Sequence, residues 1–536
     1  MILRDAGPGL RPGARSRPAP APPPPDEPDV EALRADLADW TVGAVNELLG
    51  PLAQAAMARE EALPALRALR GHHDEPIAAL TAAFVLGRPI ARRRLAAALP
   101  RLGVDGAVRL GLAEAAGRAA EDEVRALVDL RPYAAEDGVG TADWWVVSDL
   151  GELATSGQLE PEHVLGVGGA SVTLARCTIR TPVGRVLDVG TGCGVQALHA
   201  SRHATAIVAT DVSARALAFA RLTLALNGVP LDDDAGVTLG RAGVQLRLGD
   251  LLEPARGELF DLVVSNPPFV ITPRVPGVPE YTYRDGGLPG DEVVRRLVTG
   301  VGGVLAPGGV AQLLGNWEHR AGEPFEERVG GWLDESGLDG WVVQRELQDP
   351  AQYAELWLRD GGDPEPACRA ELYAAWLDDF EARGVEAIGF GLVTLRRPVG
   401  GTATLRRVED LLGPLDTPVG EHVAACLAAH DWLAAHDDAA LLQARLRVAA
   451  DVTEERYHRP GEEDPTVVLL RQGGGFGRVV RASTALAGLV GACDGELALG
   501  RIVAALAQLL DEPVGELTGR LLPAARGLVG DGLLLF

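Results

Sequence analysis

Seven short runs of β-branched and apolar residues, at 186–189, 206–210, 244–248, 261–265, 310–314, 341–344 and 388–396, constrain the fold of this 536-residue chain most strongly. Helical patterns separate the early ones, notably S-A-R-A-L-A-F-A-R-L-T-L-A-L-N-G at 213–228. Strands alternating with helices pack as a parallel, doubly wound α/β sheet. Such sheets bind ligands outside the carboxyl ends of their strands. The residues at those ends are therefore the candidates for chemistry.

Four strand ends carry a distinctive residue set. The first reads R-V-L-D-V-G-T-G-C-G at 185–194, with glycine at Gly190, Gly192 and Gly194. Glycine serves a sharp strand-to-helix turn because it reaches positive φ without a Cβ penalty, which lets backbone approach a ligand. About twenty residues on, Asp211 follows A-I-V-A-T, where a carboxylate can accept hydrogen bonds from both hydroxyls of a ribose. Asp250 ends the third strand in R-L-G-D-L-L-E-P, within reach of an adenine amino group, and F-D-L-V-V-S-N-P-P-F closes the fourth at 260–269. A lone G-x-G-x-G says little; the ordered set is specific. A dinucleotide-binding domain would favour G-x-G-x-x-G and has no reason to carry N-P-P-F. Just upstream, Gly166, Gly168 and Gly169 mark a lead-in to a helix, either a flap over the glycine loop or an ordinary joining turn.

D-V-G-T-G-C-G, T-D-V-S, G-D-L-L-E-P and N-P-P-F, in that order, resemble the class I S-adenosylmethionine-dependent methyltransferases, in particular the Asn-Pro-Pro-(Tyr/Phe) amino-methyltransferases. The resemblance covers about residues 166–397. It implies a Rossmann-like seven-stranded methyltransferase sheet with S-adenosyl-L-methionine as cofactor and no metal. It further implies that Asp188 holds the methionine ammonium and that Gly190, Thr191, Gly192 and Gly194 pass close to the cofactor. Asp211 with Val212 would bind the ribose, and Asp250 with Leu251 the adenine. Asn266 would border the cofactor and be the centre of catalysis: its side-chain carbonyl and the backbone carbonyl of Pro267 would accept two hydrogen bonds from a planar NH2. Phe269 would pack on that planar group. The delocalised lone pair of such a nitrogen is a weak nucleophile, so a site that orients it and stabilises the developing charge suits the reaction without a strong base.

The flanks read as separate modules. Residues 1–29, with P-A-P-A-P-P-P-P, form an expected disordered tail. Residues 30–158 combine amphipathic helical patterns with strand-like runs at 124–133 and 144–150, an expected helical, winged-helix-like module. The methyltransferase domain spans 159–398, with a helical insertion at 347–384 expected to cap the site and carrying Tyr353, Trp357, Tyr373, Trp376 and Phe380. Residues 399–536 form a second expected winged-helix-like module. The Arg92–Arg94 cluster reads as a solvated helix face, and Asn227 as a helix cap.

Composition bears on partners. A formal charge of −25 disfavours broad nucleic-acid binding, because phosphate contacts need basic surface. No run of about eighteen apolar residues suggests a membrane span, and five scattered cysteines without C-x-x-C spacing suit a reducing cytoplasm. Two relatives compete over the acceptor. The release-factor glutamine methyltransferases match an acidic, glycine-containing segment after the catalytic motif, here P-E-Y-T-Y-R-D-G-G-L-P-G-D-E at 279–292. The ribosomal RNA guanine-N2 methyltransferases match Phe269. The charge favours a protein or peptide side-chain amide as substrate, with RNA or a DNA base as the alternative and a non-catalytic cofactor-sensing regulator as a further one. The oligomeric state is left open.

Overall fold

In the computed structural model, which describes residues 20–155, 159–232, 243–275, 278–360, 366–415 and 418–536, all seven expected runs are strands of one sheet. They are β1 (Val183–Val189), β2 (Ala204–Asp211), β3 (Gly243–Leu248), β4 (Phe260–Ser265), β5 (Leu305–Arg320), β6 (Asp339–Gln348) and β7 (Val385–Arg396). An eighth strand, β8 (Arg406–Asp410), completes the order β8-β6-β7-β5-β4-β1-β2-β3. β3, β2, β1, β4 and β5 pair in parallel, and β7 runs antiparallel to both β5 and β6. Strand order reverses at β1 and β4, so their carboxyl ends open onto the crevice where such sheets bind ligands.

The expectation of seven strands thus needs correction to eight, and the central domain does not stop at residue 398. β8 pairs in parallel with β6 from beyond that boundary. Its sequence, R-R-V-E-D, is too polar to read as a strand because it lies at the sheet edge, where charged side chains are tolerated. Glu409 accepts from Trp341 Nε1 at 2.6 Å and pairs with Arg407 at 2.9 Å.

Alternation along the strands supplies both faces of the sheet with core. On β1, Val186 joins a cluster with Ile207, Phe219 and Leu262, while its neighbour Leu187 joins Val208, Val263, Leu297 and Trp332 on the other side. Helices α1 (Gly169–Cys177), α2 (Val195–Ala200), α3 (Ala214–Leu226), α4 (Glu292–Gly300) and α5 (Phe325–Ser336) accompany these strands. The insertion forms α6 (Pro350–Asp360) and α7 (Pro366–Ala382). Tyr353, Trp376 and Phe380 bury their rings in one apolar cluster with Val270 and Ile271, so the insertion packs directly on the segment that follows N-P-P-F.

In the N-terminal region, strands Ile90–Ala91, Ala113–Ala115 and Glu123–Ala126 form a sheet with the last in the middle, and helices Arg92–Ala98 and Gly103–Arg109 lie between the first two. The expected long strand at 124–133 is in fact two. Residues 129–137 leave that sheet and pair with Gly140–Ser148 as a separate hairpin. Asn227, after α3, bridges to this hairpin: its side chain accepts from Trp145 N at 3.0 Å and donates to Trp145 O at 2.7 Å. Leu33, Trp40 and Val147 share one continuous core with Val186 and Phe219 of the central domain. Arg92 and Arg93 are paired with Asp105 and Glu121, and Arg94 donates to His73 O.

Residues 1–19 of the expected disordered tail lie outside the described residues, and residues 20–29 depart from the expectation. Pro22 is buried, and a Cβ on Gly111 would lie 2.7 Å from Pro23 Cδ. Asp29 pairs with Arg109 through two hydrogen bonds of 2.6 and 2.8 Å. In the C-terminal region the three-stranded sheet Val452–Tyr457, Val467–Gln472 and Val479–Ala482 precedes helices Thr484–Gly491, Leu499–Leu510 and Val514–Gly530, an order unlike that of the N-terminal region. Among the described residues no helix is long and apolar enough to cross a membrane.

Candidate functional site

A cleft of about 520 Å³ opens at the carboxyl ends of β1, β2 and β4, within the size range of small-molecule sites. Gly190, Thr191, Gly192, Asp211, Val212, Asp250, Leu251, Asn266, Pro267 and Phe269 all line it. Four segments far apart in sequence thus meet in one place.

The glycine loop is built from β1 and β2 together. Gly190 and Thr191 both donate their backbone N–H to Thr210 O at 2.9 Å, and Gly194 N closes the turn onto Thr191 O. Gly190, Gly192 and Gly194 take φ of 73°, 55° and 88°, the left-handed region where side chains are strained. Their tasks differ. At Gly192 nothing stands within 4 Å of where a Cβ would be, which leaves a cradle beside the cleft. Gly194 does not line the cleft: a Cβ there would approach Ala220 Cα to 3.2 Å, so this glycine lets α3 pack close. Of the three loop glycines expected beside the cofactor, Gly194 is thus the one placed against α3.

Asp188 lies beneath the loop, fully buried, with Oδ2 accepting from Thr191 Oγ1 at 2.6 Å. Burial pushes its carboxyl up to about 7, aided by the charge of Asp211 and opposed by the Thr191 hydroxyl and the Ala197 amide. Oδ1 of Asp188 has no hydrogen-bond partner among the described residues. A carboxylate left in that state is the complement of a cation. Asp211 braces the loop from the end of β2: Oδ2 accepts from Gly192 N at 2.9 Å and Oδ1 from Ser213 N at 2.8 Å. Burial raises its carboxyl too, against those backbone donors. Each oxygen keeps a further lone pair for a ligand hydroxyl. Asp250 and Leu251 border the same cleft from the end of β3, Leu251 with a φ of 42°.

N-P-P-F leaves β4 beside the loop. Ser265 Oγ donates to Val189 O at 2.9 Å, which ties the two strand ends together. Asn266 Oδ1 is buried and lacks a partner among the described residues. Leaving a buried amide acceptor unmet costs about 1–3 kcal/mol, so the atom is poised for a donor supplied from outside. Phe269 packs at 5.4 Å on Phe390 of β7.

The segment after the motif is held by the R-D-G-G stretch. Phe269 and Asp285 form a backbone bridge, and Val270 N donates to Arg284 O at 2.9 Å. Asp285 accepts from Tyr281 N and from the Thr272 hydroxyl. A Cβ on Gly286 would lie 3.1 Å from Pro268 O and clash with Val293, so only glycine permits the approach. The insertion adds Tyr353, whose hydroxyl accepts from Ile271 N at 3.0 Å and from Asn316 Nδ2 at 2.6 Å.

Other lining residues carried no signal in the sequence. Glu60, Asp129 and Arg131 come from the N-terminal region, and Asp360 from α6, next to the Trp357 expected on the capping insertion. Asp149 accepts from Val164 N at 2.9 Å and pairs with Arg215 of α3, which draws the lead-in at 163–170 along the cleft. A salt bridge 66 residues apart in sequence has no local pattern by which to find it.

Residues 167–276 match the family described as methyltransferase small domain, and residues 37–127 and 424–536 match two families each described as a domain of unknown function. The chain is 31% identical over 204 residues to the ribosomal protein uL3 glutamine methyltransferase of Bradyrhizobium diazoefficiens, covering 36% of this chain and 59% of that one. It is 32% identical over 166 residues to the release factor glutamine methyltransferase of Moorella thermoacetica (29% and 55%). To the ribosomal RNA small subunit methyltransferase C of Alcanivorax borkumensis it is 31% identical over 153 residues (28% and 36%). The chain thus spans between about a third and three fifths of the length of these relatives. Residues 167–276, which carry the glycine loop, both strand-end acids and N-P-P-F, are the part of the chain that is similar to the methyltransferase small domain.

Proposed function

We propose that the protein is an S-adenosyl-L-methionine-dependent N-methyltransferase acting on the side-chain amide of a protein or peptide. The observation that carries this reading is the buried, unpartnered Oδ1 of Asn266 at the end of β4, beside a loop whose own buried acceptor, Asp188 Oδ1, is also unmet. One acceptor suits the NH2 of a planar group, the other a ligand ammonium.

The residues fit the cofactor on these grounds. Asp188 would hold its ammonium, the open space at Gly192 would admit its backbone-facing side, and Asp211 and Asp250 would take ribose and adenine. When bound, the sulfonium supplies an activated methyl group. Asn266 Oδ1 and the Pro267 carbonyl accept the two N–H bonds of the acceptor amide and fix its nitrogen for in-line attack. A nitrogen that takes up a methyl group gains positive charge, and one of its two protons would then pass to bulk water. The two carbonyl dipoles stabilise that charge, and preorganised dipoles act without reorganisation cost. Phe269, held by Phe390, backs the planar group.

The acceptor class follows from charge. Seven carboxylates line the cleft against two guanidiniums, Arg131 and Arg284, and these are already paired with Asp129 and Asp360. A polyanionic substrate needs unpaired cations; a peptide does not. Names of the relatives that act on glutamine support the same class. The test is to incubate source lysate with cofactor labelled in the methyl group and then treat it with RNase or protease. Label released by protease is expected. Label released by RNase would overturn the peptide reading in favour of a nucleobase.

Asp188 gives a pH signature. Its folded carboxyl ionises near 7 instead of near 3.8, so below about 7 it is protonated and a poor partner for an ammonium. Affinity for S-adenosylhomocysteine should therefore rise as pH goes from 6 to 8, by several-fold to about tenfold. Calorimetric titration across that range checks it, and a flat profile would remove Asp188 from the ammonium site.

A further inference from the structure

Two buried donors belong to residues that line the cleft but lie outside the glycine loop. Among the described residues neither Arg284 Nε nor Trp357 Nε1 has a hydrogen-bond partner. Both residues line the cleft, and the Arg284 guanidinium lies 5.8 Å from the Trp357 ring. Arg284 is 6% exposed, and its other contacts are fixed: Nη1 donates to Trp357 O at 2.8 Å and to Asp360 Oδ2 at 3.0 Å, while the Tyr281 ring covers it at 4.4 Å. Tyr283 donates to the same Asp360 oxygen at 3.0 Å. This wall is therefore rigid, and the unmet N–H groups are not loose ends of a mobile side chain. Natural proteins rarely leave such donors unpaired unless a ligand supplies the acceptor.

Arg284 and Trp357 also adjoin the catalytic segment. Arg284 O receives Val270 N, so its backbone is fixed to the residue that follows N-P-P-F. Because Asp360 neutralises the guanidinium, the wall offers hydrogen bonds without net charge. That suits neutral carbonyl oxygens and disfavours phosphate, which draws on unpaired cations.

We propose that Arg284 Nε and Trp357 Nε1 form a main-chain clamp, donating to backbone carbonyl oxygens of the substrate peptide next to the residue whose amide Asn266 holds. The proposal rests on the side-chain amide reading given above. It makes both residues determinants of peptide binding, positioned on the insertion and on the R-D-G-G stretch, with no part in the bond-making step.

The test uses the full chain and a library of glutamine-centred pentapeptides, assayed for methyl transfer; the best substrate serves as the probe. Trp357→Phe keeps the ring and removes only the N–H, so KM for the probe should rise about fivefold, the effect falling on KM rather than kcat. A second arm replaces each backbone amide of the probe in turn by an ester, whose carbonyl is a weaker acceptor. One ester position should raise KM in the wild type and lose that effect in Trp357→Phe, a coupling that a merely structural role of the indole would not produce. Binding of S-adenosylhomocysteine serves as the check that the variant is folded. An unchanged KM in Trp357→Phe, or no ester position that affects the wild type, would overturn the clamp while leaving the amide reading intact. A wild type that methylates none of the peptides would overturn both.

Discussion

Asn266→Ala is expected to lower kcat for methyl transfer by about a thousandfold while changing the affinity for S-adenosylhomocysteine less than about threefold. The magnitude is that of losing orienting and charge-stabilising dipoles at a reacting centre. The split between the two readouts follows from geometry. Asn266 stands at the end of β4, whereas the loop beside it is braced by Asp211, Thr210 and Thr191. Stability gives an independent reading of the same residue. The substitution deletes a buried acceptor that has no partner in the free protein, so the melting temperature should stay level or rise. A fall in cofactor affinity that matches the fall in kcat would overturn the catalytic role.

Asp211→Ala is expected to weaken S-adenosylhomocysteine binding by about 10- to 100-fold, or about 1.4–2.7 kcal/mol. Two losses combine. The expected contact with the ribose hydroxyls goes, and so does the acceptor for Gly192 N and Ser213 N that holds the glycine loop in its strained turn. Hydrogen bonds to charged groups contribute about 1.5–3 kcal/mol each, which makes one lost contact enough for the lower figure. Calorimetric titration of the variant decides it, and an unaltered dissociation constant would refute the ribose role.

How much of this was legible in the sequence depends on the range over which each signal acts. The strands of the central sheet were, because burial on both faces writes continuous apolar runs. β8 was not, since an edge strand is free to be polar. The glycine loop, Asp211, Asp250 and N-P-P-F were legible as an ordered set, because each ends a strand and the strand order fixes where they meet. The packing of Gly194 was not legible: pattern alone does not tell a glycine that faces a cleft from one that faces Ala220. The N-terminal wall of the cleft was not legible at all. Asp129 and Arg131 sit on a hairpin whose position is set by Asn227, reaching Trp145 from 82 residues away. Side-chain hydrogen bonds of that span leave no periodicity to read. The packing of residues 20–29 was hidden for another reason, since a proline-rich run is equally suited to a free tail and to an extended strap.

The core that runs unbroken from Leu33 and Trp40 through Val147 to Val186 and Phe219 has a consequence for how the molecule comes apart. Local unfolding follows seams where few apolar contacts cross, and no such seam separates the N-terminal helices from β1. Pulling those helices away would expose the outer side of α3, the helix that packs on β2 and β3. The N-terminal region and the cofactor cleft therefore behave as a single cooperative unit: the cleft is assembled when that region docks, and it is lost when the region leaves.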